Sequence, residues 1–253
     1  MIAQFVASAT LNWPGVECQL QNDRYAWIVE KTQVDEVEQS LTPKGRATRD
    51  RIVGAAADLM FEHGVAGTTT EDVQKAAGVG ASQMYHYFAD RKELIRAVIV
   101  HQTHAVLDNQ QPLLSALDSI EAIRAWRDLF VGMEHQLKCQ GGCPVGSLAG
   151  ELAEVSVAYR EDLARGFSEW EEAIREGIWA MHSRSELPSD SNPERLALAL
   201  LAAVQGGLLL TKVRRNTAPL EAALDAMIDY LDSLHRSARS QPATRHRGAN
   251  EST

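Results

Sequence analysis

Apolar residues recur at intervals of three and four along most of the chain beyond Thr42, which is the period of an amphipathic helix. The first such run ends near Gly64 and consists of Ile52, Ala55, Ala56, Leu59 and Met60. No segment sustains the strict alternation of apolar and polar residues that a half-buried strand requires. The pattern therefore predicts an all-α fold.

Two short helices joined by glycines follow the first run. The segment Thr68-Thr69-Thr70-Glu71-Asp72 offers the hydroxyls and acids that favour a helix N-terminus. The helix that begins there should stop at Gly78, because glycine readily takes the left-handed conformation that ends a helix. A second short helix is predicted over Ala81–Phe88, and Asp90 then caps a longer one. Short helices joined by a tight turn are typical of a helix-turn-helix, whose second helix enters the DNA major groove.

The side chains of this unit divide into a packing set and an outward set. Val73, Val79 and Met84 are expected to pack the unit onto Leu59 and Phe61. The outward set is Ser82, Gln83 and Tyr85. Just before and within the first helix lie four bases, which suit contact with phosphates. They are Lys44, Arg46, Arg49 and Arg51, against the single acid Asp50.

Everything beyond Pro112 also has the helical period. The predicted helices are Ser119–Lys138, Val145–Val155, Ala158–His182, Pro193–Val213 and Pro219–Ser237. Four regions follow: a poorly ordered extension over 1–40, a helix-turn-helix domain over 41–103, a helical domain over 104–237 and a disordered tail over 238–253. A start codon assigned too early in the gene would produce the same kind of extension.

Charge changes this picture more than overall composition does. The 253 residues carry a net charge of −9 and are 45% hydrophobic, which excludes disorder along the whole chain. Residues 104–235 hold 11 bases and 20 acids, whereas residues 41–103 hold 8 and 7. Contact with nucleic acid is therefore expected in the second region. The three cysteines favour a reducing cytoplasm, and Gln205 interrupts the longest apolar stretches, so no membrane span is expected.

Three motifs over residues 52–94 resemble the TetR family of transcriptional regulators in order and spacing. The first is Ile52-x-x-Ala55-Ala56-x-x-Leu59-Met60-x-x-x-Gly64 with Gly67-Thr68-Thr69 after it. The second is Val73-x-x-Ala76-Ala77-Gly78-Val79, and the third is Tyr85-x-Tyr87-Phe88-x-Asp90-Arg91-x-x-Leu94. The resemblance implies a double-stranded DNA operator as partner.

The resemblance also implies roles for individual residues. Thr69 and Thr70 would hold phosphates, and Arg91 would grip another where the family usually has Lys. Ala81, Ser82 and Gln83 would lie at the groove, with Gln83 as the best reader of a base edge. Tyr85 and Tyr87 would contact backbone or base, although Tyr87 suits the core equally well. The family often has Ser where Gly80 stands, so a cap on the second short helix is absent.

A homodimer is expected through the last two predicted helices, because together they carry more apolar surface than one chain easily covers. The predicted interface residues are Leu201, Gln205, Leu208, Leu209, Leu224, Met227, Ile228 and Leu231. Gly206-Gly207 would mark a close helix crossing at the dimer seam. Two recognition helices would then lie about 34 Å apart and require a palindromic operator.

A ligand pocket for a small hydrophobic or aromatic effector is expected among the middle helices, as the resemblance implies. Its candidate residues are Trp126, Phe130, Met133, Cys143, Phe167 and Trp170. For any one of the aromatic residues, an ordinary core position is the preferred interpretation. Cys143 stands before a predicted helix, whose dipole could favour a thiolate, and a redox or electrophile switch is therefore a hypothesis. A buried structural cysteine is the preferred interpretation of Cys143.

No enzyme, cofactor or metal site is expected. The chain lacks GxSxG, a P-loop, HExxH and CxxC motifs, and His101 and His104 have no evident third ligand. The sequence thus predicts a ligand-responsive DNA-binding repressor. The alternative is a DNA-binding factor controlled by a protein partner, or by thiol modification at Cys143.

Overall fold

The computed structural model describes residues 41–240, so the predicted extension over 1–40 and residues 241–253 of the predicted tail lie outside the described residues. The chain divides into two compact units between Thr48 and Arg49. Of the first unit the structure describes residues 41–48, and the first helix begins among them at Pro43.

The described part of the chain is helical, with no strand between residues 41 and 240, and the all-α prediction is confirmed. A single 3₁₀ turn spans Leu114–Ala116. The α-helices are α1 Pro43–His63, α2 Thr70–Ala77, α3 Ala81–Tyr87, α4 Arg91–Asp108, α5 Ile120–Gln136, α6 Pro144–Leu152, α7 Val157–Ser183, α8 Pro193–Arg214 and α9 Ala218–Ser240. Helix α9 extends three residues beyond the predicted end, into the segment predicted to be disordered.

Side-chain caps explain where several helices begin. Asp90 and Ser119 each accept a hydrogen bond from the backbone N–H three residues on, at 2.9 and 3.1 Å. Asn192 does the same for Arg195 at 2.8 Å, and Pro193 occupies the first position of α8. These bonds satisfy amides that have no partner within the helix, which is why polar residues at these positions predicted the boundaries closely.

Helices α8 and α9 cross closely within one chain, and Gly207 makes the crossing possible. A Cβ atom at Gly207 would lie 2.9 Å from both the Cα and the Cδ1 atom of Leu220 on α9. Neighbouring Gly206 is exposed and has open space beside it. The glycine pair was expected at a dimer seam; the structure instead uses Gly207 for an intramolecular contact and leaves Gly206 facing outward.

Burial also corrects the expected dimer face. Five of its eight residues pack inside their own chain, at 5% exposure or less, because α8 and α9 use them to cover each other and α7. These are Leu201, Leu208, Leu224, Ile228 and Leu231. Gln205 and Met227 are half-buried, and Leu209 is 62% exposed.

Helix α8 carries apolar residues on its buried side and on its outward side, and the sequence pattern did not distinguish the two sides. Its most apolar window has a mean hydropathy of 1.8, enough by length and composition alone for a membrane span. However, 44% of that window is buried within the protein. The outward side carries what we call the α8 stripe, a row of exposed small and apolar residues. It consists of Leu198, Ala202, Gly206, Leu209, Leu210 and Val213.

An ion pair ties α4 to α7. The Arg96 guanidinium donates to both carboxylate oxygens of Asp162, at 2.6 and 3.0 Å. Asp162 is buried, so it depends on this cation and on Arg165, 3.4 Å away, for compensation of its charge. The pair fixes the middle of α4 to the helical domain.

We predict that Gly207→Ala lowers the free energy of unfolding by about 1–3 kcal/mol, because the added methyl group meets the backbone of α9. The matched control is Gly132→Ala on α5, where a Cβ meets nothing within 4 Å. That change should raise the free energy of unfolding by up to about 1 kcal/mol, since alanine favours helix over glycine.

Urea titrations at one fixed protein concentration would measure both changes. Equal effects at the two glycines would contradict the assignment of a close crossing to Gly207.

Candidate nucleic-acid interface and ligand cavity

Helices α2 and α3 form a helix-turn-helix whose turn depends on Gly78. This residue has φ +63°, the left-handed conformation, and its N–H bonds to the carbonyls of Gln74 and Lys75. Val73 and Met84, one on each helix, are buried at 0% and 1% exposure. The turn and these two contacts set the angle at which α3 leaves α2.

A reciprocal pair of hydrogen bonds holds the start of α2. The Thr69 hydroxyl accepts from the backbone N–H of Asp72 at 3.1 Å, and the Asp72 carboxylate accepts from the backbone N–H of Thr69 at 3.1 Å. The Thr69 hydroxyl also donates to that carboxylate at 2.6 Å, and these bonds lower the pKa of Asp72 below its usual value. The Thr69 hydroxyl, expected on a phosphate, is thus engaged in capping; Thr70 is half-buried as the first residue of α2.

Helix α3 presents one exposed face, which we call the α3 face: Ala81, Ser82, Gln83, Tyr85 and His86. Met84 and Phe88 anchor the opposite side at 1% and 2% exposure. Ser82, Gln83 and Tyr85 are the residues that the sequence directed outward, and Ala81 is one that the resemblance placed at the groove. Sequence reasoning missed His86, although its spacing of three from Gln83 places it on the same side of a helix.

Tyr87 is half-buried, so its burial does not decide between contact with DNA and a place in the core, the two interpretations that the sequence left open. Its ring meets that of His86 edge to face, with 5.0 Å between the ring centres.

The predicted cations differ in what they contact. Lys44 and Arg46, in the first unit, are exposed, and an Arg46 N–H donates to the carbonyl of Leu41 at 2.6 Å. Arg49 lies over the Phe88 ring, 5.4 Å from its centre. Arg51 donates to the carbonyl of Ala77 at 2.8 Å and so completes the end of α2.

Arg91, expected on a phosphate, bonds within the protein. Its Nη2 atom donates to the carbonyl of Val65 at 2.7 Å. On the other side of the same residue, the Val65 N–H donates to Oε2 of Glu151 at 2.8 Å. Val65 is therefore bonded from α4 through Arg91 and from α6 through Glu151. Sequence reasoning missed Glu151, because 86 residues separate it from its partner.

Phe61 also contacts the helical domain rather than α2 and α3. Its ring fills the space that a side chain at Gly141 would occupy, and it is 38% exposed. Gly141 and Gly142 both have positive φ, +88° and +71°. Only glycine takes that conformation freely, so the two residues make a tight turn on which Phe61 rests.

A cavity of about 320 Å³ opens beside this turn. Residues from α6, α7 and α8 enclose it together with the turn. They are Gly141, Gly142, Cys143, Gly146, Ser147, Ala149, Phe167, Gln205, Gly206, Leu209 and Lys212.

Only two of the six predicted pocket residues, Cys143 and Phe167, line this cavity. Trp126, Phe130 and Trp170 form a buried aromatic cluster instead, with ring centres 5.0 and 6.3 Å apart along the series. Met133 is half-buried and does not line the cavity. These three aromatic residues, two on α5 and one on α7, are at most 4% exposed and thus belong to the core.

The thiol of Cys143 is buried, and burial raises its pKa. Hydrogen bonds from the Gly146 N–H at 3.3 Å and from Nε2 of Gln205 at 3.5 Å oppose that rise in part. The expectation that the helix dipole would favour a thiolate is wrong, because the loss of hydration outweighs it. Among residues 41–240 no cluster of three or more His, Cys, Asp or Glu side chains is suited to a metal ion.

We predict that Glu151→Ala lowers the free energy of unfolding by about 1–3 kcal/mol, because the buried Val65 N–H loses its acceptor. Glu151→Gln should recover most of the loss, since its amide oxygen still accepts. The control is Glu154→Ala, an exposed carboxylate two residues beyond the end of α6. Urea titration would measure all three, and equal losses at Glu151 and Glu154 would refute the role given to Glu151.

Two family models match the chain. The model described as bacterial regulatory proteins of the tetR family matches residues 52–98. The model described as the tetracyclin repressor-like C-terminal domain matches residues 119–227. The first match covers α1 from Ile52, α2, α3 and α4 as far as Val98, and the second covers α5 to α8 with part of α9.

Curated relatives and solved structures agree with these matches. An uncharacterized HTH-type transcriptional regulator in the lacX 3' region of Lactococcus lactis subsp. lactis is 30% identical over 72% of this chain and 92% of its own. The HTH-type transcriptional repressor DhaR of Mycobacterium sp. (strain GP1) is 27% identical over 72% and 91%. A TetR transcriptional regulator from Chloroflexus aurantiacus superposes with a TM-score of 0.64 at 27% identity, over 76% of this chain and 97% of that one.

Proposed function

The chain belongs to the TetR family of DNA-binding transcriptional regulators, and we propose that it is a repressor that binds a palindromic operator as a homodimer and leaves it when a small molecule binds. The observation that carries the proposal is the α3 face, a set of exposed polar and aromatic side chains on a helix anchored from behind by Met84 and Phe88. A cytoplasmic location belongs to the same proposal.

Base reading is assigned to the α3 face. Gln83 presents an exposed amide, which can accept from N6 and donate to N7 of an adenine at once. Ser82 and Tyr85 supply hydroxyls on either side of it, and the small Ala81 allows close approach. Tyr85 is 59% exposed, which is unusual for a large ring and suits a surface that is covered on binding.

Phosphate contact is assigned to the exposed cations and to the start of α2. Lys44 and Arg46 are free of acidic partners within residues 41–240 and carry the positive charge that a DNA backbone attracts. Thr70 begins α2, whose unbonded amides favour an anion. Arg91 has two proposed roles. Its bond to Val65 positions the loop before α2, and its other N–H groups remain for a phosphate.

The dimer is assigned to the α8 stripe together with the outward side of α9. Leu198, Leu209 and Val213 are 54%, 62% and 71% exposed, an apolar surface that water disfavours. Tyr230 on α9 is 52% exposed and continues it. A second copy related by a twofold axis would cover both helices and form a four-helix bundle. Of the eight interface residues predicted from the sequence, the proposed interface keeps Leu209, Gln205 and Met227 and omits the five that are buried.

Ligand control is assigned to the cavity, with α6 and α4 as the moving parts. The first turn of α6 borders the cavity at Cys143 and Gly146, and its last turn holds Val65 through Glu151. Helix α4 is held to α7 by Arg96 and to Val65 by Arg91. A ligand that displaces α6 therefore acts on the loop that leads into α2. Such a ligand changes DNA affinity only by its preference for one arrangement, typically by about 1–3 kcal/mol.

Control by thiol modification at Cys143 stands second. The thiol does border the cavity, but burial keeps it protonated and therefore a weak nucleophile. Alkylation that leaves DNA affinity unchanged would exclude it. Control by a protein partner has no specific observation in its favour.

We predict that selection from random duplexes enriches a palindrome whose half-sites lie about 34 Å apart, and that footprinting shows both half-sites protected. Gln83→Ala should weaken that complex by about 1–3 kcal/mol and relax base preference at one position in each half-site. Gln136→Ala, an equally exposed glutamine at the end of α5, is the control and should change neither. Titration at one stated salt concentration would measure the affinities.

Enrichment of an asymmetric site, or an unchanged base preference in Gln83→Ala, would contradict the assigned mode of reading. Failure to enrich any duplex would count against the repressor itself.

We predict that Val213→Glu separates the dimer, because a carboxylate on each copy would face the apolar stripe of the other. Val155→Glu is the matched control, since Val155 is 67% exposed and lies outside α8 and α9. Analytical ultracentrifugation should find the first variant monomeric and the second dimeric. If both variants stay dimeric, the interface lies elsewhere on the protein.

A further inference from the structure

The cavity beside α6 has a charge opposite to that of the domain around it. Residues 104–235 carry 20 acids against 11 bases, yet no Asp or Glu is among the residues lining the cavity. Lys212 is the one charged residue in that lining. Lys212 therefore gives the cavity a positive charge within an acidic domain.

Lys212 is also unpaired within the part of the chain that the structure describes. No carboxylate between residues 41 and 240 approaches its ammonium group within 4 Å. Several arginines of the same domain, by contrast, bond to acids: Arg127 to Asp225, Arg175 to Glu172 and Arg184 to Glu186. A half-buried cation that borders a cavity and has no counter-ion is stabilised when an anion enters.

The other lining groups suit the two ends of a small amphipathic anion. Ser147 offers a hydroxyl donor and Gln205 an amide N–H beside the one that bonds to Cys143. Phe167, Ala149 and Leu209 form an apolar wall. The glycines at 141 and 142 have no side chains, so a ligand can reach the backbone of the turn.

We infer that the cavity binds a small organic carboxylate, with its carboxylate on Lys212, Ser147 and Gln205 and its hydrocarbon part against Phe167 and Leu209. This inference rests on the proposed function, whose effector it assigns to a chemical class. The volume of about 320 Å³ lies at the small end of ligand pockets and limits the hydrocarbon part to a short chain or one ring. The sequence predicted a small hydrophobic or aromatic effector, and this inference adds that the effector carries a negative charge.

The test compares acids with their own neutral and cationic analogues on the DNA-free dimer. The probes are butyrate, hexanoate, octanoate and benzoate, each with the matching primary amide and primary amine. Calorimetric titration at constant ionic strength would measure their affinities. At least one acid should bind about tenfold or more tightly than its amide, since a hydrogen bond to a charged group exceeds one to a neutral group by that order.

Three variants assign the preference to Lys212. Lys212→Met keeps the chain length and should abolish the difference between acid and amide, whereas Lys212→Arg should keep it. Lys138→Met is the control, because Lys138 is exposed in the same domain and lies outside the cavity. Thermal unfolding without ligand would establish that each variant is folded.

Equal affinity for acid and amide, a preference for the amine, binding by none of the probes, or an undiminished preference in Lys212→Met would each overturn the inference. DNA binding is measured separately, so the two conclusions fail independently. If the protein binds a carboxylate but selects no palindromic operator, the cavity assignment stands and the proposed repressor function is refuted. If it selects a palindromic operator but binds no carboxylate, the repressor function stands and the cavity assignment is refuted.

Discussion

The peptide groups on either side of Val65 hold the loop that leads into α2 against α4 and α6. The Val65 N–H donates to Glu151 on α6, and its carbonyl accepts from Arg91 at the start of α4. Val65 itself is buried, and both bonds are part-buried. Four residues later Thr69 caps α2. The direction in which α2 and α3 leave the domain therefore depends on a short loop bonded from both sides.

One of the two helices that hold this loop, α6, also borders the cavity. Helix α6 is only nine residues long. A displacement of its first turn would therefore also displace Glu151, because so short a helix bends little. The turn before it is rigid in its own right, because an Arg215 N–H donates to the carbonyl of Cys139 at 3.0 Å and Phe61 packs on Gly141. An anion at Lys212 would thus act on a stiff element rather than on a loose loop. Helix α4 is bonded to Val65 through Arg91 and to the buried Asp162 through Arg96, so a displacement of Val65 would also act on α4.

Charge and apolar surface differ between the regions assigned to DNA, to a second copy and to a ligand. The helix-turn-helix region has nearly balanced charge, whereas the helical domain is strongly acidic and would repel DNA. Within that domain the exceptions are the α8 stripe, which is apolar and suits a second copy, and the cavity, whose one charged residue is basic. Helix α8 serves both, since Leu209 and Gly206 belong to the stripe and also line the cavity.

Local patterns in the sequence determined the helices, their boundaries and the outward residues of α3, because capping, glycine turns and the helical period act over four residues or fewer. They also identified the family. Whether Trp126 and Trp170 line a pocket or fill a core, and which side of α8 faces its own chain, depended on contacts between residues far apart in sequence. The same holds for Glu151, Phe61 and Lys212, whose partners are a distant N–H, a glycine turn and a cavity. A helix with apolar residues on two sides has no single buried face in its sequence, so only tertiary packing decided that Gly207 meets α9 and Gly206 faces outward.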